Sequence, residues 1–403
     1  MKKLMFHPIA AVYLGFNALI NFANSFFMVT YVLFLFEKGM DLLQINLINA
    51  CYMIVVVLAE MPTGSFADSF GRHRSFSLSF FLMALSTLIY FVSGSFMLFV
   101  LAEVVAALGH TFFSGSIEAW LVDSLKARGE EHWQAEIFRY ETAFRSFGII
   151  AGVMFGSYLG KFDLAWPWLA STIVMFIVGC LSLFIKENYV TKRQSLRENG
   201  LGKQLSEAFQ SGLKNRDLLF IMLFGACLTF AIQALNMQWT LLFQKEYNFS
   251  TPQLGLLFIG ISFSIILGAQ FSKVISQRLG QRLGEKTAII LPQIGTALAI
   301  VIAAQASLRF LVISFFLVHE FGRGIIKPLQ QNFINKRLAS KNRATLLSLD
   351  SMFTQSGALL GLVASGFIAK MLSIRSAWLY SGLFLLLVIF LFVISVRFKK
   401  HSS

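Results

Sequence analysis

Twelve apolar stretches follow one another along this chain, each long enough for a membrane-spanning helix of roughly 20 residues. We place them at 9–36, 43–66, 75–95, 97–123, 137–160, 166–186, 217–243, 252–274, 287–306, 309–332, 347–370 and 376–396. Runs this long and evenly apolar suit helices, which satisfy their own backbone groups, and not the short alternating strands of a membrane barrel. Composition agrees: 56% of the 403 residues are hydrophobic and only 13% are charged, against roughly 25% charged in soluble domains. A disordered chain, a coiled coil and a disulfide scaffold are excluded, and a water-soluble enzyme is disfavoured. The first run is too long for a signal-peptide core and lacks a small-residue cleavage site, so it is read as the first span. Cys51, Cys180 and Cys227 lie far apart inside apolar runs; they are expected to be buried, inert thiols, forming neither disulfide nor metal site.

A formal charge of +14 would point to nucleic acid in a soluble protein. Here the cations sort by side of the membrane. With both termini cytoplasmic, Lys2, Lys3, Arg72, Arg74, Lys126, Arg128, Lys273, Arg278, Arg282, Lys286, Lys336, Arg337, Lys341, Arg343, Arg397, Lys399 and Lys400 fall inside, together with a central basic loop. Only Lys38, Lys161, Lys245, Arg309, Lys370 and Arg375 fall outside. This positive-inside bias in short loops sets orientation and leaves no role for nucleic acid. Compact loops point to a bacterial inner membrane and a monomer.

The longest polar stretch, Glu187 to Arg216, divides the spans six and six. Its second half has Leu205, Phe209 and Leu213 at the spacing of a short amphipathic helix. The expected organisation is an all-α integral membrane protein of two pseudo-symmetric six-helix bundles, 1–190 and 217–403, with a cytoplasmic linker at 191–216. Sliding the chain on itself without gaps supports a duplication. In a single register His110 meets His319, Gly115 meets Gly324, Glu118 meets Lys327 and Glu141 meets Asp350. In that same register Gly148 meets Gly357, Gly152 meets Gly361, Gln44 meets Gln253 and Gly71 meets Gly280. Two homologous halves imply alternating access to a site near mid-membrane.

The sharpest motif follows the second span: Gly64-Ser65-Phe66-Ala67-Asp68-Ser69-Phe70-Gly71-Arg72-His73-Arg74. It resembles the cytoplasmic loop signature of the major facilitator superfamily, Gly-x3-Asp-(Arg/Lys)-x-Gly-Arg-x-(Arg/Lys), with Ser69 where a cation is usual. Gly64 would let the second helix pack closely, and Gly71 would permit a tight turn. The resemblance, which spans the chain, implies a gating role for Gly64, Asp68, Gly71, Arg72 and Arg74. Asp68 would sit at the N-terminus of the eleventh helix, where the dipole favours an anion, and Arg72 would reach Asp123 at the end of the fourth. The fifth span, Gly148-x3-Gly152-x3-Gly156, is similar to the motif of the proton-coupled antiporters, with Val153 in place of proline and Ser157 in place of the last glycine. The arginine frequent in the family's fourth helix would fall at Val105.

Helices one, four, seven and ten line the central cavity in this family. On the fourth, at 100° per residue, His110 and Ser114 lie about 20° either side of Glu103, and Glu118 lies about 60° round. The tenth stacks His319, Arg323 and Lys327 at intervals of four. Ionisable groups inside a membrane face a cavity or a partner, so an acidic stripe would oppose a basic one, with Lys327 counted among the gating residues. Fixed pairs of Glu118 with Arg145 or Arg139 are the structural alternative. Asn17, Asn21 and Asn24 share a face of the first helix, and Thr229, Gln233, Asn236 and Thr240 a face of the seventh.

Taken together, these residues describe a non-enzymatic secondary transporter resembling the drug:proton antiporters. It would need no cofactor beyond a proton gradient, since no Gly-x4-Gly-Lys-(Ser/Thr) nucleotide motif occurs. Substrate-binding candidates are Asn17, Asn21, Asn24, His110, Gln233, Asn236, His319 and Arg323. His110 and Glu118 would exchange the proton, since histidine titrates near physiological pH. The competing readings are an importer or uniporter of a polar solute, a membrane-embedded acyltransferase using a histidine, and a transporter-derived scaffold. The solute stays open between drugs, lipids, sugars and peptides.

Overall fold

The computed structural model describes residues 7–185, 216–337 and 343–400, without the side chains of 343–348 and 395–400. The amphipathic helix expected over Leu201 to Leu213 lies outside these residues. Among the described residues all regular structure is helical: α1 Pro8–Asn24, α2 Tyr31–Glu37, α3 Leu42–Phe70, α4 Arg72–Val92, α5 Phe96–Phe113, α6 Ser116–Ala127, α7 Gln134–Leu159, α8 Trp166–Ser182, α9 Arg216–Tyr247, α10 Thr251–Leu283, α11 Glu285–Ile290, α12 Pro292–Gln305, α13 Arg309–Arg337, α14 Arg343–Met371 and α15 Ile374–Lys400. Every one of the twelve expected stretches is occupied by helix. Nine of these stretches are long and apolar enough to cross a membrane unaided. The first is instead broken between α1 and α2, and α8 is a shorter apolar helix of 17 residues. The remaining one, α13, carries Glu320, Arg323 and Lys327 inside its apolar run.

Local sequence explains where helices start and stop. Asp41 and Gln44 form a reciprocal capping box at the head of α3, satisfying amides that have no partner within the helix. Gln253 repeats part of the device at α10, accepting from the Ser250 amide at 2.9 Å. Gly71 ends α3 at φ 107° and Gly284 ends α10 at φ 89°, a region that side chains beyond glycine rarely enter.

The described residues divide into two compact units, one within Met1–Leu196 and Phe243–Leu256, the other within Arg197–Leu242 and Leu257–Ser403. The first is cored by Tyr13, Phe76, Phe80, Trp120, Leu121 and Met175, contributed by α1, α4, α6 and α8. In each unit a glycine helix presses on the unit's first helix. A Cβ on Gly148, Gly152 or Gly156 would collide with the carbonyls of Ala18, Phe22 and Phe26. One on Gly357 or Gly361 would collide with those of Ala226 and Phe230. The register that pairs Gly148 with Gly357 therefore holds between α7 and α14.

It fails elsewhere, by one helical turn. At the heads of α3 and α10, Gln44 still answers to Gln253. At their ends, Gly71 answers to Gly284 and not to Gly280. The reason is length: α10 has 33 residues where α3 has 29. The new register persists through the next two spans. Gly109 packs on Met83, and Gly322, its counterpart in the new register, packs on Thr296 at the matching place. His110 is thus matched by Arg323 and not by His319, and Gly115 by Pro328 and not by Gly324.

Candidate functional site

In the first unit, α1 supplies the expected asparagines, but they bind their own helix. Asn17 Nδ2 donates to the Tyr13 carbonyl at 3.0 Å, and Asn21 Nδ2 donates to the Asn17 carbonyl at 2.7 Å. Asn17 is buried, while Asn21 and Asn24 are half-buried. Beside them, Tyr13 lies in electrostatic reach of Glu141 from α7 and Glu118 from α6. Arg145 also feels Glu118, yet no ion pair forms between them among the described residues. Arg139 pairs with Glu136 at 3.4 Å. The alternative of a fixed Glu118 pair is not what the structure shows.

The fourth span is not one continuous helix, which corrects the angular reading of its polar face. It breaks at Ser114 and Gly115, where Gly115 takes φ 74°, and α6 restarts at Ser116. Glu118 therefore sits in a helical first turn, where the positive end of the dipole favours a carboxylate. Its Oε2 is buried without a hydrogen-bond partner among the described residues. His110, before the break, is exposed and tilts against the Tyr52 ring at 6.1 Å. Glu103, two turns earlier on the same face, is 6% exposed and accepts from Tyr31 and Tyr90 hydroxyls at 2.9 and 2.7 Å.

The second unit gathers its polar groups into one chain. Asn236 Nδ2 donates to Gln233 Oε1 at 3.3 Å, and Arg323 Nη1 donates to Asn236 Oδ1. Arg323 Nε lies 3.2 Å from Glu320 Oε2, and Glu320 Oε1 lies 3.6 Å from His319 Nδ1. Sequence reasoning passed over Glu320, although a carboxylate three residues before an arginine on a helix is a standard ion-pair spacing. His319 is fully buried beside Phe316, Arg323 is half-buried, and Lys327 is exposed. The interval of four turns about 40° further round the helix at each step, so the three side chains leave the core one after another. Thr229 and Gln238 are interhelical ties: they donate to the carbonyls of Thr354 and Ser365, both at 3.1 Å.

At the end of α3, Arg72 Nη1 lies 2.6 Å from Asp68 and Arg72 Nε lies 3.9 Å from Asp123. Arg74 is exposed. Gly64 is exposed too, and a Cβ there would meet no atom within 4 Å among the described residues, so the close packing expected of it is not found. The cysteines are free and half-buried, less enclosed than expected.

An all-helical membrane protein in two repeated units, each with ionisable groups inside its spans, defines a membrane transporter. The profile described as Major Facilitator Superfamily matches residues 14–280 and 262–403, and the chain belongs to that family. It is a secondary transporter, not an enzyme, that acts on a small molecule from within the membrane. It is 25% identical to the uncharacterized MFS-type transporter YxaM of Bacillus subtilis (strain 168) over 97% of each chain. It is 23% identical to the class B tetracycline resistance protein of Escherichia coli, over 77% of this chain and 75% of that one. Among solved structures, the nucleoside transporter NupG superposes with a TM-score of 0.80 at 18% identity, covering 96% of this chain and 98% of that chain. That last likeness speaks for the fold alone.

Proposed function

We propose that the protein is a proton-coupled exporter of a small lipophilic solute, neutral or cationic, working by alternating access between its two bundles. The observation that carries this reading is the charge balance of the polar groups inside the spans. In the first unit Glu118 and Glu141 gather around Tyr13, with Arg145 in electrostatic reach of Glu118 but in no ion pair with it among the described residues, so carboxylates outnumber the cation there. In the second, the charge of Arg323 is countered on its own helix by Glu320, which counts against an organic anion as the solute. The likeness to a tetracycline resistance protein supports export.

In this reading Asn17, Asn21, Asn24, His110, Gln233, Asn236, His319 and Arg323 contribute to binding, with His319 acting through Glu320 from the core. His110 and Glu118 exchange the proton. Gly64, Asp68, Gly71, Arg72, Arg74, Asp123 and Lys327 serve the gate, through the Asp68–Arg72–Asp123 contacts. The protein acts as a monomer in a bacterial inner membrane, with both termini and the central linker cytoplasmic.

Everted membrane vesicles test this directly. Tetracycline or ethidium added to vesicles holding a pH gradient should dissipate it in an overexpressing strain, and Glu118→Gln should abolish the response. Flux of either probe in the opposite direction, or flux indifferent to the gradient, would overturn the reading. The amide-rich chain Gln233–Asn236–Arg323 favours a second reading, an importer of a polar solute, which the same direction of flux decides.

A further inference from the structure

Glu103 is used by nothing described so far. It stands in the interior of the first unit, on a helix packed against α3 and α4. Its Oε1 takes both tyrosine hydroxyls, Tyr31 from α2 and Tyr90 from α4. The ionisable groups that face it are these two, with Cys51 and Tyr52 from α3; His110, two turns along its own helix, lies against the Tyr52 ring. Among the described residues no Lys, Arg or His pairs with it. A carboxyl placed in a membrane interior without a cation is costly, and such groups mark proton pathways.

Two further observations say what it can bind. The surroundings are closed to a molecule: Trp168 is sandwiched between Phe27 and Tyr90, with ring centroids 4.2 and 4.0 Å away and planes within 8° and 10°. The fold also has no need of the carboxyl. At the matching place in the second unit stands Phe316, stacked on Trp378 at 5.5 Å and on Trp239 at 6.2 Å. Trp378 and Trp239 thus frame Phe316 with aromatic rings, as Tyr31, Tyr90 and Trp168 cluster beside Glu103, and the second unit fills this place without a carboxyl.

We propose that Glu103 is a proton-binding site of the first unit, loaded and emptied along the wall formed by Tyr52, His110 and Glu60. Protonation forms an O–H bond on the oxygen that the tyrosines leave free, and the donor hydronium becomes water. Release reverses both changes. Half-buried Tyr52 lies in electrostatic reach of Glu103 and against the ring of exposed His110, and His110 in turn lies in electrostatic reach of Glu60. This site deepens the proton-coupled reading above and rests on it for its role in transport, while proton binding itself can be measured without any solute.

The test is pH-stepped difference infrared spectroscopy on the full chain in liposomes. Wild type should show the carbonyl band of a protonated carboxyl appearing on acidification. Glu103→Gln should lose that band, and Glu118→Gln should keep it. Tyr90→Phe, which preserves the packing, should move the band to higher frequency because the carboxyl accepts one hydrogen bond fewer. His110→Ala should slow its appearance after a pH jump. A band unchanged in Glu103→Gln overturns the proposal. If that variant does not fold, a band unmoved in Tyr90→Phe overturns it instead. Absence of gradient-driven flux in wild type would sink the exporter reading alone, leaving the band to decide the site.

Discussion

The two units meet the same structural problems with different chemistry. Where α4 begins in the first, Arg72 approaches Asp123 at the end of α6; at the matching positions of the second, Glu285 binds Lys336 at 2.7 Å, with the signs exchanged. Deeper in, Glu103 is bonded to Tyr31, which lies against Trp168, in one unit, whereas Phe316 lies against both Trp239 and Trp378 in the other. A place that keeps its geometry while its charge reverses is one where only complementarity matters. A place where a carboxyl replaces a phenylalanine is different. Burying the carboxyl costs stability that the second unit shows to be avoidable, and that asymmetry is what separates function from framework.

The largest effect should come from forcing the polar solution on the apolar side. Phe316→Glu would bury a carboxyl beside Trp378 with no hydroxyl to receive it, and should cost about 3–5 kcal/mol, the range for stranding a buried charge. Adding Trp239→Tyr should recover part of that loss by supplying the donor that Tyr31 supplies to Glu103. Thermal unfolding of the purified variants in detergent checks both. An equal melting temperature for Phe316→Glu and wild type would mean that the second unit tolerates the charge and that the asymmetry carries no information.

The reverse exchange should be milder. Glu103→Phe strands the Tyr31 and Tyr90 hydroxyls, about 1–3 kcal/mol for each group, but relief of the buried carboxyl offsets much of that, so the net loss should fall below that of Phe316→Glu. Combining it with Tyr90→Phe should restore stability while proton binding stays lost. Next in size is Arg323→Gln, which leaves Glu320 buried without its cation. With Arg323 itself half-buried, the cost should be about 2 kcal/mol. Glu320→Gln should largely relieve it, and a double-mutant cycle reads the coupling.

Much of this was legible before any coordinates. Twelve helical stretches, the glycine helices α7 and α14, and the approach of Arg72 to Asp68 and Asp123 follow from hydropathy and spacing, which are local signals. The expected loop over Gly64 to Arg74, however, is helical but for Gly71. The register of the repeat was not legible, because one extra turn in α10 changes no periodicity: four residues return a helix nearly to the same face. Hence His110 falls on His319 in the ungapped sequence when its structural counterpart is Arg323. The fourth span reads as unbroken because a single glycine inside an apolar run carries little weight until its φ is known. Glu103 was visible, but its partners, Tyr31 and Tyr90, lie 72 and 13 residues away, and nothing local joins them.

The smallest effect on stability, and the finest division of the comparison, is expected at the reversed ion pairs. Arg72→Glu combined with Asp123→Lys copies the Glu285–Lys336 arrangement into the first unit. Because these groups are partly exposed, the swap should change stability by less than about 1 kcal/mol. It should nevertheless impair transport, since Asp68, 2.6 Å from Arg72 in wild type, would then face a like charge. The second unit has Gln281 at the position matching Asp68, so adding Asp68→Gln removes that conflict and completes the copy. If the loop only tethers α4 to α6, the triple variant should transport like wild type. If Asp68 also holds the gate, the triple variant should stay folded but transport slowly, and initial rates of probe efflux at equal expression separate the two.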